Sequence, residues 1–313
     1  MAPTTARLPI ILDCDPGHDD AVAMVVAARH TNLLGITTVA GNAPLESTTQ
    51  NAIVLRDMLG IDVEVHAGAN RPLIAPPRHA GYVHGESGLD GADLPPPSGP
   101  PASRDAVAFI IETVRRHDGV WLVPTGPFTN IALALRSAPD IAARLAGIPF
   151  MGGGLFGNRT PSAEFNIWAD PEAAAIVLSY GGPLVMAGLD LTHQLQATPE
   201  RIAMVRALPG RLALALADLM AFFSGTYTRR HDGLVGAPVH DPCSVLALTH
   251  PNLFERSFSN VAVETGGELT RGMTVIDQRR LAERPDPNCD RLTHVDADAA
   301  WAVVTEAIAH FSR

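Results

Sequence analysis

The feature that most constrains this chain is an alternation of short apolar runs with helical stretches. Ile10–Cys14, Leu33–Val39, Val63–His66, Val120–Val123, Ile148–Met151 and Pro183–Ala187 each read as a strand, bounded by Gly, Pro or Asn. Between them lie helical patterns at Asp19–Ala28, Leu45–Leu59, Arg104–Arg116, from Thr129 onward, and at Pro171–Ser179. Apolar strands separated by helices need long crossovers, and these bury both faces of a sheet. The alternation therefore predicts an α/β fold: an open, mostly parallel central sheet with helices on both faces. Later segments extend it. Pro199–Phe223 reads as helical with a break at Pro209-Gly210, and Asp241–His250 as a helix. Ser257–Val263 and Met273–Ile276 read as late, antiparallel strands, and Asp296–His310 as a closing helix. From about Gly68 to Pro101 the periodicity vanishes and Pro and Gly crowd together, which predicts a long functional loop. No repeat or linker interrupts the pattern, so residues 1–313 read as a single domain.

Composition narrows the partners. Hydrophobic residues make up 46% and aromatics only 5%, so aliphatic side chains fill the core. A net charge of −10 repels phosphate backbones and disfavours nucleic acid. The dense basic spots, Arg115-Arg116, Arg229-Arg230 and Arg279-Arg280, read as solvated surface. Three widely spaced cysteines, Cys14, Cys243 and Cys289, fit neither a disulfide framework nor a zinc ribbon and point to a reducing cytoplasm. The amino-terminal MAPTTARLP lacks the apolar core of a signal peptide, and no apolar run approaches membrane-spanning length.

The densest chemical signal is DCDPGHDDA, Asp13–Ala21, with four carboxylates in eight positions. Asp13 and Asp15 end a strand, and Asp19 and Asp20 open the following helix. In open α/β sheets ligands bind at the carboxyl ends of strands. Carboxylates crowded there repel, and a bound cation relieves the repulsion. Hard oxygen donors without a nearby cysteine pair favour Ca²⁺ or Mg²⁺ over zinc. A simple helix-capping role suits Asp19 or Asp20 but leaves Asp15 unexplained.

This segment resembles the signature of the inosine-uridine-preferring nucleoside hydrolase family. VAGN (Val39–Asn42), VHGESGLDG (Val83–Gly91), PTGPFTNIA (Pro124–Ala132), AEFNIWADPEAA (Ala163–Ala174) and HDPCSV (His240–Val245) resemble further blocks of that family, in the same order and across most of the chain. The resemblance implies a Rossmann-like fold and hydrolysis of the N-glycosidic bond of ribonucleosides. It implies Ca²⁺ held by Asp15, Asp20, Asp241 and the Thr125 carbonyl, with Asp15 also the base that deprotonates the attacking water. It gives Asp19, Asn42, Asn158, Glu164 and Asn166 to the ribose hydroxyls and Asp13 to a supporting role. His240 protonates the departing base, with His84 assisting. It also implies a homodimer or homotetramer, a role in nucleoside salvage, and, through His240, the inosine-uridine or pyrimidine-preferring branch.

The chemistry suits these residue types. Such a bond breaks through an oxocarbenium-like state, so the water needs a base and the leaving group needs a donor. Singly, the residues have plainer readings: Asn42, Asn158 and Asn166 as turn or loop residues, Glu164 as a surface acid, and Asp241 as a helix cap ahead of Pro242. Tyr227, Arg230 and His231 read as exposed loop residues with a cover over the nucleobase as the alternative, Phe165 and Trp168 as packing groups with Phe165 also placed to line a sugar pocket, and His18 has no evident chemical role. Two rival functions remain at this point. A Mg²⁺-dependent phosphohydrolase of the haloacid dehalogenase type needs a lysine, and the chain has none. A non-catalytic, calcium-dependent sugar- or nucleoside-binding protein would not need Asp15 or His240.

Overall fold

The structure, a computed structural model, describes residues 7–279 and 283–312. Arg280 of the Arg279-Arg280 pair and the first six residues of the amino-terminal stretch lie outside them. Six parallel strands form most of the sheet: β1 (Pro9–Cys14), β2 (Asn32–Thr38), β3 (Val65–Ala67), β4 (Val120–Pro124), β5 (Leu145–Met151) and β6 (Leu184–Ala187). Two residues form each strand of a small antiparallel ribbon, β7 (Gln196–Ala197) and β8 (Ala237–Pro238). The late strands are β9 (Phe254–Val263), β10 (Thr274–Asp277) and β11 (Cys289–Val295). Among the described residues the main sheet runs β10-β9-β11-β6-β5-β4-β1-β2-β3. The predicted late antiparallel pairing is present, since β9 is antiparallel to both β10 and β11.

β1 shows why the sheet is covered on both sides. Ile10, Leu12 and Cys14 enter one core and Ile11 the other, as the two-residue period of a strand requires. The first core is closed by α1 (His18–His30), α2 (Leu45–Leu59), α10 (Arg211–Tyr227), α11 (Pro242–Thr249) and α12 (Ala297–Phe311). The second is closed by α4 (Ala106–Arg116), α5 (Thr129–Ser137) and α7 (Pro171–Leu178). Helix α1 is buried from His18 through Ala27 because it lies between the sheet and α10, α11 and α12. That position explains its run of Ala, Val and Met, which lacks the polar stripe of a surface helix.

The structure departs from the sequence reading in three places. The region 68–101 is not wholly a loop: it holds a one-turn helix, α3 (Gly81–His84), packed against α10. Four residues give too short a period to read. Strand β11 went unrecognised because Arg291, Thr293 and His294 interrupt its apolar residues, yet it sits inside the sheet between β9 and β6. The broken helix is two elements, α9 (Pro199–Arg206) and α10, and α10 continues past Phe223 to Tyr227. The remaining short helices are α6 (Phe165–Ala169) and α8 (Leu189–Thr192). All three cysteines are free and buried. Arg115 and Arg116 are exposed and pair with Asp140 and Glu112. No helix among the described residues is long and apolar enough to cross a membrane.

Candidate active site

Strand order reverses at β1, which has β2 on one side and β4 on the other. Crevices at the carboxyl ends of such strands take ligands. Here Asp15 follows β1 by one residue, Thr125 follows β4 directly, and α1 returns Asp19 and Asp20 to the same corner. Asp241 arrives from the far side at the start of α11.

One carboxylate oxygen each from Asp19, Asp20 and Asp241 lies within 4.8 Å of the others, so these three could hold a metal ion. Asp15 borders this group closely enough for its charge to act on Asp20, Asp19 and Asp241. Its Oδ2 accepts the Asn42 backbone N–H at 2.6 Å, while Oδ1 is buried without a partner among the described residues. Asp20 accepts from the Gly17 N–H at 2.9 Å, from the Thr125 hydroxyl at 2.8 Å and from Asn42 Nδ2 at 3.2 Å. Gly41 and Gly126 flank Asp15 so tightly that a Cβ on either would strike its carboxylate.

Asp13 points away from the cluster. Its Oδ1 accepts from Thr37 Oγ1 at 2.6 Å and from Asn130 Nδ2 at 2.8 Å, which fixes β1 against β2 and α5. Asp241 heads α11, but its side chain makes no cap hydrogen bond. Pro242 at the first helical position removes one N–H that would need a cap. The residue holds the cap position expected of it while its carboxylate joins the acidic group instead of capping.

A cleft opens beside these acids, at the carboxyl end of the sheet where open α/β folds take small molecules. Asp19, Asn42, Thr125, Asn158, Glu164, Asn166, His84, His240 and Asp241 all line it. Glu164 is 3% exposed, so it is no surface acid. Its carboxylate caps α6 by accepting from Asn166 N and Ile167 N, and it also accepts from Gly153 N. Asn166 Nδ2 donates to the Thr125 carbonyl at 2.7 Å. That oxygen keeps a second lone pair, so it can also serve a cation. Asn158 Oδ1 accepts the Phe165 N–H at 3.0 Å. The structure thus brings together Asp15, Asp19, Asp20, Thr125 and Asp241 with Asn42, Asn158, Glu164, Asn166, His84 and His240. Asp13 alone stands behind the site.

Burial dominates the electrostatics. It holds the Asp15 and Asp241 carboxyls well above the usual range, with neighbouring acids adding to the effect. Asp19 is pushed up to about 8 by burial and then by Asp20, and Asp13 and Glu164 to about 7 by burial. Asp20 is raised for the same reason. Such a group of acids retains protons at neutral pH unless a cation displaces them. On the opposite wall, burial drives His240 and His84 well below the ordinary imidazole range.

That wall holds residues to which the sequence reading gave a site role only as the alternative, or none. Tyr227 is buried at the end of α10, not exposed in a loop, and lines the cleft with Tyr82, Met151 and Phe223. His231 stacks on Tyr227 with ring centroids 4.4 Å apart, and the Tyr227 hydroxyl lies 3.2 Å from His193 Nε2. His18 lies 2.9 Å from His84, nitrogen to nitrogen. Phe165 also lines the cleft, while Trp168 stacks under the Arg78 guanidinium. The legible signal for Tyr227 was the continuing helical pattern past Phe223; for His18 it was its place inside the first acidic motif.

Comparison with known proteins gives this geometry a lineage. The sequence model of the inosine-uridine preferring nucleoside hydrolase family matches residues 10–302. The chain belongs to that family. Pyrimidine-specific ribonucleoside hydrolase RihA of Shewanella sp. (strain MR-7) is 44% identical over 309 residues, covering 97% of each chain. The solved purine-preferring ribonucleoside hydrolase from Gardnerella vaginalis superposes with a TM-score of 0.90 at 32% identity, over 97% of this chain and 99% of that one. A plant nucleoside hydrolase gives 0.89 at 28% identity with the same coverage. This nucleoside hydrolase therefore carries the Rossmann-like fold expected of it, and the phosphohydrolase reading is removed. The family is metal-dependent in general, and the acidic corner formed by Asp19, Asp20 and Asp241 could bind a metal.

Proposed function

We propose that the chain hydrolyses the N-glycosidic bond of ribonucleosides to ribose and free base, with Ca²⁺ held by Asp15, Asp20, Asp241 and the Thr125 carbonyl. The observation that carries this reading is the meeting of residues from β1, α1, the end of β4 and the start of α11 around one oxygen-lined corner that opens into a cleft. The donor set fits calcium: all oxygen, with an orphaned buried Asp15 Oδ1. No sulfur joins it, since Cys14 and Cys243 direct their thiols at backbone carbonyls. When bound, the ion supplies charge neutralisation and an electrostatic field that makes a nearby water more acidic.

The side chains do the rest. Asp15 accepts the proton of the attacking water. Asp19, Asn42, Asn158, Glu164 and Asn166 hold the ribose hydroxyls, and their internal hydrogen bonds fix them before the sugar arrives. His240 stabilises the departing base through Nε2, which is buried without a partner among the described residues, and His84 assists from the same wall. Aromatic and histidine side chains exclude water from the base. Acid–base help of this kind contributes about 10²–10⁴ in rate.

The RihA relatives and His240 together support a pyrimidine preference, uridine and cytidine ahead of purine nucleosides. A cytoplasmic homodimer or homotetramer acting in nucleoside salvage completes the reading; light scattering reports the assembly. The deciding experiment incubates purified protein with uridine, cytidine, inosine, guanosine and adenosine and measures free ribose. Tight nucleoside binding without ribose release would leave the non-catalytic binding protein standing.

A further inference from the structure

The two cleft histidines are wired to different partners, and those partners set which nitrogen carries the proton. His240 Nδ1 lies 2.7 Å from the Thr192 hydroxyl. Thr192 is fully buried, and this is the one side-chain hydrogen bond its hydroxyl makes among the described residues. A buried hydroxyl proton left unpaired costs about 1–3 kcal/mol, so the hydroxyl donates and Nδ1 accepts. An imidazole that accepts at Nδ1 carries its proton on Nε2.

His84 is wired the other way. His18 Nε2 lies 2.9 Å from the Asp90 carbonyl oxygen. A carbonyl has no proton to give, so His18 Nε2 is the donor and His18 Nδ1 holds a lone pair. That nitrogen faces His84 Nδ1 at 2.9 Å, where two lone pairs would repel, so His84 Nδ1 carries the proton. The His18 backbone N–H approaches the same atom at 3.5 Å, too far to compete. His84 is left with a bare Nε2 beside the cleft. The stack of His18 against His84, Phe222 and Phe223 holds both rings in this arrangement, and Gly17 leaves room for the close approach.

We propose that Thr192 and His18 are positioning residues that give the cleft one donor, His240 Nε2–H, and one acceptor, His84 Nε2, so that it selects nucleobases offering an acceptor to the first and an N–H or amino group to the second. This deepens the nucleoside hydrolase reading and rests on it. Uracil, cytosine, hypoxanthine, guanine and adenine each offer both groups, so the pair sets how a base is oriented in the cleft and sorts these natural bases from analogues that lack a donor. A base lacking a hydrogen-bond donor meets a lone pair at His84 and is turned away. The division also separates the roles: His240 serves the leaving group, while His84 orients the base and does not donate to it.

Nitrogen-15 NMR of histidine-labelled protein reads the tautomers directly, without turnover. His240 is expected protonated on Nε2 and His84 on Nδ1; the same tautomer on both rings overturns the proposal. Thr192→Val keeps the shape and removes the donor. It should lower kcat on uridine by on the order of 10- to 100-fold with KM little changed, because a mis-set imidazole loses its function while the fold survives. A riboside with a good leaving group, p-nitrophenyl β-D-ribofuranoside, should change less than about twofold, and Thr192→Ser should restore uridine turnover. Equal losses on both substrates, or no rescue by serine, would make Thr192 merely structural and refute the assignment. A wild-type protein that cleaves neither substrate would instead refute the hydrolase reading, with the NMR result still deciding the tautomers.

Discussion

Stripping the divalent ion should make stability fall steeply as pH rises, and adding it back should matter more at pH 8 than at pH 5. With the corner empty, burial holds Asp19 at about 8 and Asp13 and Glu164 at about 7 in the folded protein. In the unfolded chain these groups release their protons near 4. The folded state therefore binds more protons throughout the window from about pH 4 to pH 8, and stability is lost as pH rises through it. Ionising Asp19 alone, from an ordinary 3.8 to about 8 at ~1.4 kcal/mol per pH unit, would cost roughly 6 kcal/mol. Between pH 5 and pH 8 the share of Asp19 alone is roughly 4 kcal/mol, and Asp13 and Glu164 add to it in the same direction. For a chain of this size ~4 kcal/mol is about 10 °C in Tm. Calcium binds the ionised form and expels the protons, adding about 2.7 kcal/mol at a hundredfold excess over Kd. Scanning calorimetry of chelator-stripped protein at pH 5, 6.5 and 8, with and without calcium, measures all of this. The net charge of −10 also weakens the fold at high pH, so Asp19→Asn is the control: it removes one titrating acid and should flatten the slope. A stripped protein whose Tm is level or rising from pH 5 to pH 8, or a calcium gain equal at both ends, would refute the reasoning.

Three further outcomes follow from the geometry. Asp15→Ala should abolish ribose release while Tm stays within a few degrees, because relief of a buried acid beside Asp19 and Asp20 offsets the lost hydrogen bond from the Asn42 N–H to Oδ2; steady-state turnover and calorimetry read the two effects. His240→Ala should depress turnover of uridine by about 10²-fold or more and of p-nitrophenyl riboside far less; equal losses would remove His240 from the leaving group. Gly126→Ala places a methyl group against Asp15, which should cost about 1–3 kcal/mol in urea unfolding and nearly all activity.

What was legible in the sequence follows from the range of the forces involved. Strand and helix periods are local, so β1, α1, α2 and the parallel core could be read from apolar spacing. Packing into two cores then follows from Ile10 and Ile11 pointing to opposite faces. β11 was not legible, because its side chains answer to neighbours more than a hundred residues away: Arg291 is buried only through its ion pair with Asp190. The acids of the first motif announced themselves by crowding, which is unfavourable without a purpose. Asp241 did not, since one Asp before a Pro looks like an ordinary cap; only the family resemblance linked it to Asp20. The base side of the cleft was the least legible. Tyr227 and Thr192 carry no motif of their own, and His18 sits inside the first acidic motif without its role being written there; each acquires a role only through a partner distant in sequence: Tyr227 through His193, Thr192 through His240, His18 through His84 and Asp90. Charge crowding is visible in one dimension, whereas the direction of a hydrogen bond exists only in three. The metal corner and the base wall therefore differ in how they can diverge among relatives. On the proposed ligand set, losing one of Asp15, Asp20 or Asp241 would leave the other acids crowded without a cation. On the proposed wiring, a change at Thr192 would alter how the base edge is met without touching an acid of the corner, so the base wall can diverge by a substitution outside the motifs that mark the family.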